Sequence, residues 1–441
     1  MAITITQDVG ELAFQDQQLI YMASSTNIAQ PNFKYIVQVY HDGAEIYKNY
    51  HPKNPSNALI FDLRHVAGHY NGIDDTNYNT ASQDIFTIPH AVDKVFSRST
   101  NACKKYEVRI GELYEVAGVL IEDLNLANHT TFIYTGKFTL NYGQVYNAPH
   151  YISNTGNQGW MLEYYGKPLI YWNDPQARGL ISGELLVREA MEEDYGVISF
   201  IHDDGTNFIN CDSIKVRYKI YDPAGAQLGF TQDFLINATH GAAVASSVDD
   251  EDKLIHLGAY PANLNKSNHL ATQKPNATAW SYYTLQLVTS TGTEVGEVFH
   301  IVQDENCYKN KLRIAWWSDI SGWEFFNLNT AVNKTTVNKS KNYQKLMGSY
   351  SGVGHAIYTH TRETVPFHSD NVLTIDSSTN WLSEYEYQFL ESLISSKDVR
   401  IVRTDSIFVP VILKTTSYKH PDTNNNTKKK VKFKFEIAQP V

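Results

Sequence analysis

The run from Cys307 to Leu328 restricts the fold more than any other part of the chain. Leu312, Ile314 and Trp316 alternate with Arg313, Ala315 and Trp317, which is the two-residue period of a strand. Ser318-Asp319-Ile320-Ser321-Gly322 then supplies turn chemistry, with a glycine able to take positive φ. Trp323, Phe325 and Phe326 begin the return strand. This aromatic-loaded hairpin holds three of the seven tryptophans within eight residues. Aromatic side chains of this size are mostly buried, so a core or an inter-subunit contact is favoured over a sugar-stacking platform. Alternation places Trp316 with Leu312 and Ile314 and turns Trp317 the other way. Trp316 is therefore expected in the core, and Trp317 or Trp323 under a helix or a neighbouring subunit.

A chain of 441 residues exceeds one ordinary domain. With 29 tyrosines against five methionines, and frequent Thr, Asn and Gly, it leans toward strands rather than helical bundles. The expected fold class is mainly β, with two N-terminal β-sandwich-like domains followed by a C-terminal α+β domain that packs one helix on a sheet. The first domain spans 1–150. Its signals are the face shared by Phe33, Tyr35, Val37 and Val39, the hairpin dipeptide Asp42-Gly43, and strands at Leu59–Leu63, Tyr106–Val116 and Phe132–Tyr142. The second spans 151–303 and is of fibronectin or immunoglobulin size. It opens with a hairpin through Gly166-Lys167-Pro168 and contains the clearest strand, Lys215–Tyr221, which meets a turn at Asp222-Pro223-Ala224-Gly225. The third spans 304–441. There Leu382, Tyr385, Phe389 and Leu393 recur at helical spacing, predicting a helix near 381–395 capped by Ser383 with Glu386, or by Thr379. Strands at Val399–Val402, Ile407–Leu413 and Lys428–Ile437 follow.

Charge narrows the function. A net charge of -10 argues against nucleic-acid binding, which calls for a basic surface. No apolar run approaches the roughly 18 residues of a membrane span, and the start has no basic n-region, so neither a span nor a signal peptide is expected. Cys103, Cys211 and Cys307 are too far apart for a disulfide framework or a metal-type cysteine pair, which fits synthesis in a cytoplasm.

Chemistry-bearing patterns are sparse. His65-x-x-x-His69 has zinc-like spacing but lacks a third ligand and a general-base Glu. His202-Asp203-Asp204-Gly205 and Asp249-Asp250-Glu251-Asp252 miss the ligand spacing of a calcium loop, and solvated turns account for them. Glu163, Glu184, Glu189 and Glu324 lie near aromatics, as a glycosidase pair would, but sequence sets no distance between them. Sequons such as Asn237-Ala238-Thr239 and Asn276-Ala277-Thr278 are expected by chance in a chain this rich in Asn and Thr. Without a nucleophile elbow or a phosphate loop, the expectation is a non-enzyme with no catalytic residue, no cofactor and no metal. Trp317, Trp323, Trp172 and Trp160 remain as interface or ligand-contact candidates.

Three stretches carry a resemblance. Pro31-Asn32-Phe33-Lys34-Tyr35-Ile36-Val37-Gln38-Val39-Tyr40 followed by Gly43 is similar to the opening of tail-associated virion structural proteins of phages that infect Bacteroidota and of related environmental phages. The segment Cys307-Tyr308 to Phe326, with Arg313, Trp316, Gly322, Trp323 and Phe326, resembles the same proteins. So does the end, from Trp381-Leu382-Ser383-Glu384-Tyr385-Glu386 through Leu393–Val399 to the final strands. The resemblance implies a structural component of the virion, forming a ring or collar in the tail, baseplate or fibre-attachment region. Its implied partners are further copies of itself and other tail proteins, with a host surface glycan as the alternative ligand of a receptor-binding module. A glycan-degrading enzyme comes last.

Overall fold

The computed structural model describes residues 3–8, 12–15, 19–41, 43–70, 72–73, 96–98, 103–124, 129–137, 160–161, 187–201, 215–235, 254–266, 274–277, 279–288, 292, 294–304, 311–317, 323–350, 352–358, 362–382, 384–402, 408–415 and 430–438. The protein is mainly β, built from several sheets with a few short helices.

At the N-terminal end, Ile3–Gln7, Ile20–Ser25 and Leu59–Asp62 form a three-stranded antiparallel sheet. A six-stranded sheet runs Leu12–Gln15, His129–Lys137, Cys103–Val116, Lys34–His41 and Ala44–His51, with Val119–Asp123 also paired to Cys103–Val116. Ile3, Tyr21, Ala23 and Leu59 from the first sheet share one core with Tyr35, Val37, Val39, Tyr106, Val108 and Ile110 from the second. The alternation of Tyr35, Val37 and Val39 is thus core-facing, as a half-buried strand requires.

Phe96–Arg98 leaves that unit and pairs with Leu254–Gly258, in a four-stranded sheet completed by Val197–Ile201 and Trp160–Met161. A five-stranded sheet orders Val187–Ala190, Glu294–Gln303, Tyr282–Val288, Lys215–Tyr221 and Gln227–Leu235. Lys215–Tyr221 turns at Gly225, whose φ of 80° only glycine takes without strain. Tyr221 stacks on its cross-strand partner Tyr282 at 4.5 Å. The Tyr283 hydroxyl donates to Ala259 O at 2.7 Å and so ties the five-stranded sheet to the end of Leu254–Gly258.

The C-terminal sheet has seven antiparallel strands in the order Trp323–Leu328, Leu312–Trp317, Val399–Val402, Phe408–Leu413, Lys432–Ile437, Thr364–Ser378, Thr330–Gln344. Its two edge strands, Trp323–Leu328 and Thr330–Gln344, are separated in sequence by Asn329 alone. The sheet therefore curls until its edges approach, which the right-handed twist of long strands favours. Leu312, Ile314, Trp316, Ile375, Phe433 and Phe435 line its inner core together with Leu382, Phe389, Leu390 and Leu393.

The helix expected near 381–395 is two short helices, Glu384–Phe389 and Glu391–Ser395, joined at Leu390. Thr379 caps neither. Its backbone N–H donates to Val431 O, and its hydroxyl accepts the Val431 N–H at 3.0 Å, which holds the last strand to the sheet. The hairpin through Gly166-Lys167-Pro168, the clusters 202–205 and 249–252, and the sequon at Asn237 lie outside the described residues.

Candidate functional site

Every residue of Leu312–Trp317 is buried, so both faces of this strand are covered. The helices cover one face. Trp316 packs on Phe389 at a ring distance of 5.1 Å and donates its indole N–H to Ser392 Oγ at 2.9 Å. On the other face, Trp317 and its cross-strand partner Trp323 meet edge-on at 5.5 Å, with the Arg400 guanidinium 4.9 Å over the Trp323 ring. Asp398, just before the same strand, holds that guanidinium. Trp317 is 7% exposed and Trp323 1%, so both indoles are enclosed by this chain rather than offered to a ligand. Trp160 lies in a two-residue strand paired with Ile201, and Trp172 lies outside the described residues.

Arg313 shares the Trp317 face and reaches into the preceding unit. Its Nε donates to Tyr195 O at 2.8 Å and its Nη1 to Asn327 Oδ1 at 2.8 Å. The Asn327 amide donates in turn to Asp194 Oδ2 at 2.7 Å, and Nη1 itself lies 3.4 Å from that oxygen. Lys311 pairs with the other carboxylate oxygen, Oδ1, and the Met191 N–H donates to Oδ2 at 2.9 Å. Burial raises the Asp194 pKa, but Arg313 and then Lys311 outweigh it and hold the carboxyl below the ordinary range. The Arg313 guanidinium also sits over Tyr260 at 4.6 Å. Chemically this is a lock between two sheets: both Asp194 oxygens, Arg313 Nε and Nη1, the Asn327 amide and Lys311 are engaged with one another, and Arg313 Nη2 is buried among them without a hydrogen-bond partner among the described residues.

A cleft of about 210 Å³ opens beside the lock, lined by Arg188, Glu189, Phe326, Asn327, Asn329, Asn380, Trp381 and Glu386 among others. Trp381 stands at its rim, 67% exposed. Arg188 spreads over Phe389 at 3.8 Å. Asn329 Nδ2 donates to Asp304 Oδ2 at 3.4 Å, while Asn329 Oδ1 is buried with no hydrogen-bond partner among the described residues. Glu189 faces solvent, yet its carboxyl is hemmed in. Burial first, then the charges of Asp304 and Glu386, push its pKa up. Of the four glutamates near aromatics, Glu189 alone is placed here. Glu324 is buried opposite Trp316, and Glu163 and Glu184 lie outside the described residues. His65 and His69 are exposed, and no group of three or more His, Cys, Asp or Glu among the described residues is placed to hold a metal ion.

The most unusual surface is one that sequence reading passed over. Thr330–Gln344 and Thr364–Ser378 pair along their whole lengths, but Lys432–Ile437 supports only Thr374–Ser378. Beyond Leu373 the two strands form a bare ribbon about 30 Å long at ~3.3 Å per residue. A smaller hairpin, Ser349–Tyr350 with His355–Ala356, continues it. A bulge between Lys341 and Asn342 leaves Phe367 as an extra residue, turned outward beside Tyr343. Val337, Ile357 and Tyr358 are exposed as well, with Leu346 at 82% and Val353 at 97%. Nothing in the stretch 333–344 alternates in polarity, because neither of its faces is buried. The legible signal was its density of Thr and Val, which favours strand without favouring a face.

No protein-family model matches the chain, and no curated protein matches it. Among solved structures, it overlaps CBD12 from CALX1.2 over 67% of this chain and 96% of that one, at 7% identity and a TM-score of 0.17. It overlaps a marsupial T cell receptor over 86% of this chain and 96% of that one, at 7% identity and a TM-score of 0.18. Overlaps of that order carry no argument about family or function. Among the described residues, no helix is long and apolar enough to cross a membrane.

Proposed function

We propose that this chain is a non-enzymatic structural component of a phage virion that assembles with further copies, as a ring or collar, in the tail, baseplate or fibre-attachment region. On this reading the two N-terminal sheets with a common core are the halves of a β-sandwich, the sheets between 151 and 303 form a second one, and the curled sheet with its helices is an α+β domain. The resemblance at both ends of the chain supports the virion setting. The observation that carries assembly is the arm at 334–373. It extends from the body, buries little of its own surface, and displays seven large apolar side chains to solvent. Apolar groups held out on a ribbon with open backbone edges are stabilised by a partner. Replacing residues 337–372 by an Asn-Gly turn tests this. Full-length protein is expected to sediment as an oligomer and the armless protein as a monomer with an unchanged melting temperature. A full-length chain that stays monomeric at high concentration, in a protein that virion mass spectrometry also fails to detect, removes the reading.

A second reading, saccharide contact, is favoured by one observation. The cleft under Trp381 combines an exposed aromatic face with amide and carboxylate groups, the mix that grips sugar C–H faces and hydroxyls. Its volume, below the roughly 300–1,000 Å³ of drug-sized sites, fits a single ring and so suits binding better than cleavage of a linkage. Neutral methyl hexosides are expected to shift tryptophan fluorescence with Kd on the order of millimolar. Trp381→Ala should weaken that binding about tenfold, and equal binding by the variant would eliminate the cleft as the site.

A further inference from the structure

The arm has a counterpart elsewhere on the same molecule. Glu112–Val116, the end of Cys103–Val116, and Val119–Asp123 form a second exposed hairpin, closed by Ala117 at φ 50° and Gly118 at φ 84°. Positive φ at both central residues gives the turn whose twist matches the strands. Every residue of Val119–Asp123 is exposed, and among the described residues this strand pairs with Cys103–Val116 alone. Val116, Val119, Leu120 and Ile121 are exposed apolar side chains. The two hairpins together hold eleven of the sixteen exposed large hydrophobics among the described residues, so the sticky surface sits in two places.

Their charges are opposite. The arm, residues 334–373, contains Lys334, Lys339, Lys341, Lys345 and Arg362 against Glu363 and Asp370 and is net positive. Residues 112–124 contain Glu112, Glu115, Glu122 and Asp123 and no Lys, Arg or His. Glu112 is buried and held by Ser25, and Glu122 is ion-paired with Lys48 through one oxygen and accepts from the Tyr50 hydroxyl through the other, so Asp123 and Glu115, which accepts only from Asn32, supply the outward negative field.

We propose that the arm of one copy docks on the Val116–Asp123 hairpin of the next, its exposed apolar residues covering Val119, Leu120 and Ile121 and its lysines facing Glu115 and Asp123. This rests on the assembly reading and names the surface that assembly uses. Because the two surfaces differ, the contact is head-to-tail, which generates a ring where the rotation closes and a filament where it does not. The arm's net positive charge disfavours arm-to-arm pairing, and the acids likewise disfavour hairpin-to-hairpin pairing, so charge selects the mixed contact. The free edge of Val119–Asp123 offers backbone groups that a strand of the arm can complete.

The test uses the full chain with Cys103, Cys211 and Cys307 replaced by serine. Leu120→Cys and Val353→Cys are introduced separately, and the two proteins are oxidised alone and mixed. A linked pair is expected in the mixture only. Glu115→Lys with Asp123→Lys should raise the concentration needed for assembly by about tenfold or more, and Lys341→Glu with Lys345→Glu in the partner protein should reverse that. Val353→Cys linking to itself overturns the proposal. So does assembly that the hairpin reversal leaves untouched but arm removal abolishes, in which case the assembly reading stands and only the partner surface is wrong. A wild-type chain that neither assembles nor cross-links removes both.

Discussion

Asp194→Ala is expected to cost about 3–5 kcal/mol of stability, because it leaves the buried Arg313 guanidinium without its counter-charge and Lys311 with Glu193 alone. Arg313 is 5% exposed and Lys311 14%, so neither recovers its hydration when the carboxylate goes. Arg313 keeps Tyr195 O, Asn327 Oδ1 and the Tyr260 ring, and Lys311 keeps Glu193. These retain geometry without supplying negative charge to the guanidinium. Denaturant unfolding reads the cost, and hydrogen exchange locates it at the amides of residues 195–198 and 313–317. A double-mutant cycle with Arg313→Met separates the mutual term, since the pair of replacements should cost less than the two single ones added. A loss below about 1 kcal/mol for Asp194→Ala would mean that the lock is not what joins these sheets.

The same carboxylate sets a pH dependence. Its folded pKa lies below the ordinary carboxylate value, so the folded state binds the proton less well than the unfolded chain. The stability it adds is fully present above the unfolded pKa and is lost as pH falls through that value toward the folded one. Wild type should therefore lose stability with acidification more steeply than Asp194→Ala over that window. Parallel curves would contradict the ionised assignment.

The parts that sequence revealed are those where burial imposes a period. Phe33, Tyr35, Val37 and Val39 share a face because one side of their strand meets a core, and Phe389 and Leu393 recur because the two short helices that carry them each turn one side to a core, with Leu382 packed into the same core just before them. The lock was hidden for the opposite reason. Arg313 reads as the polar half of an alternating strand, yet both faces of Leu312–Trp317 are buried, and its partner stands in Met191-Glu192-Glu193-Asp194, which reads as a solvated acidic turn. Pairing across more than a hundred positions leaves no local trace. The cleft joins Glu189, Asn329 and Trp381 from three separate elements, so only the fold brings them together. The arm escaped because its exposure erases the alternation that marks a strand.

Trp316→Ala should be the second large loss, about 3–5 kcal/mol, from a cavity that the surrounding strands and helices fill only in part. Trp316 is fully buried in the core that the curled sheet shares with the helices. It holds both helices at once, by ring contact with Phe389 in Glu384–Phe389 and by its N–H to Ser392 in Glu391–Ser395. Helices of six and five residues are too short to persist unsupported, so their order depends on such contacts. Removal should therefore melt them before the sheet, seen as loss of hydrogen-exchange protection at 390–395 while Ile375 and Phe435 stay protected. Trp316→Phe keeps most of the packing and forfeits the hydrogen bond, with an expected cost nearer 1 kcal/mol. Trp381→Ala, at the exposed rim of the cleft, should stay within about 0.5 kcal/mol. If Trp316→Ala and Trp381→Ala were equally mild, the aromatic hairpin would not anchor the helices. If Trp316→Ala also abolished assembly while the arm remained intact, the seat of the contact would have to move from the arm to the helix-covered face.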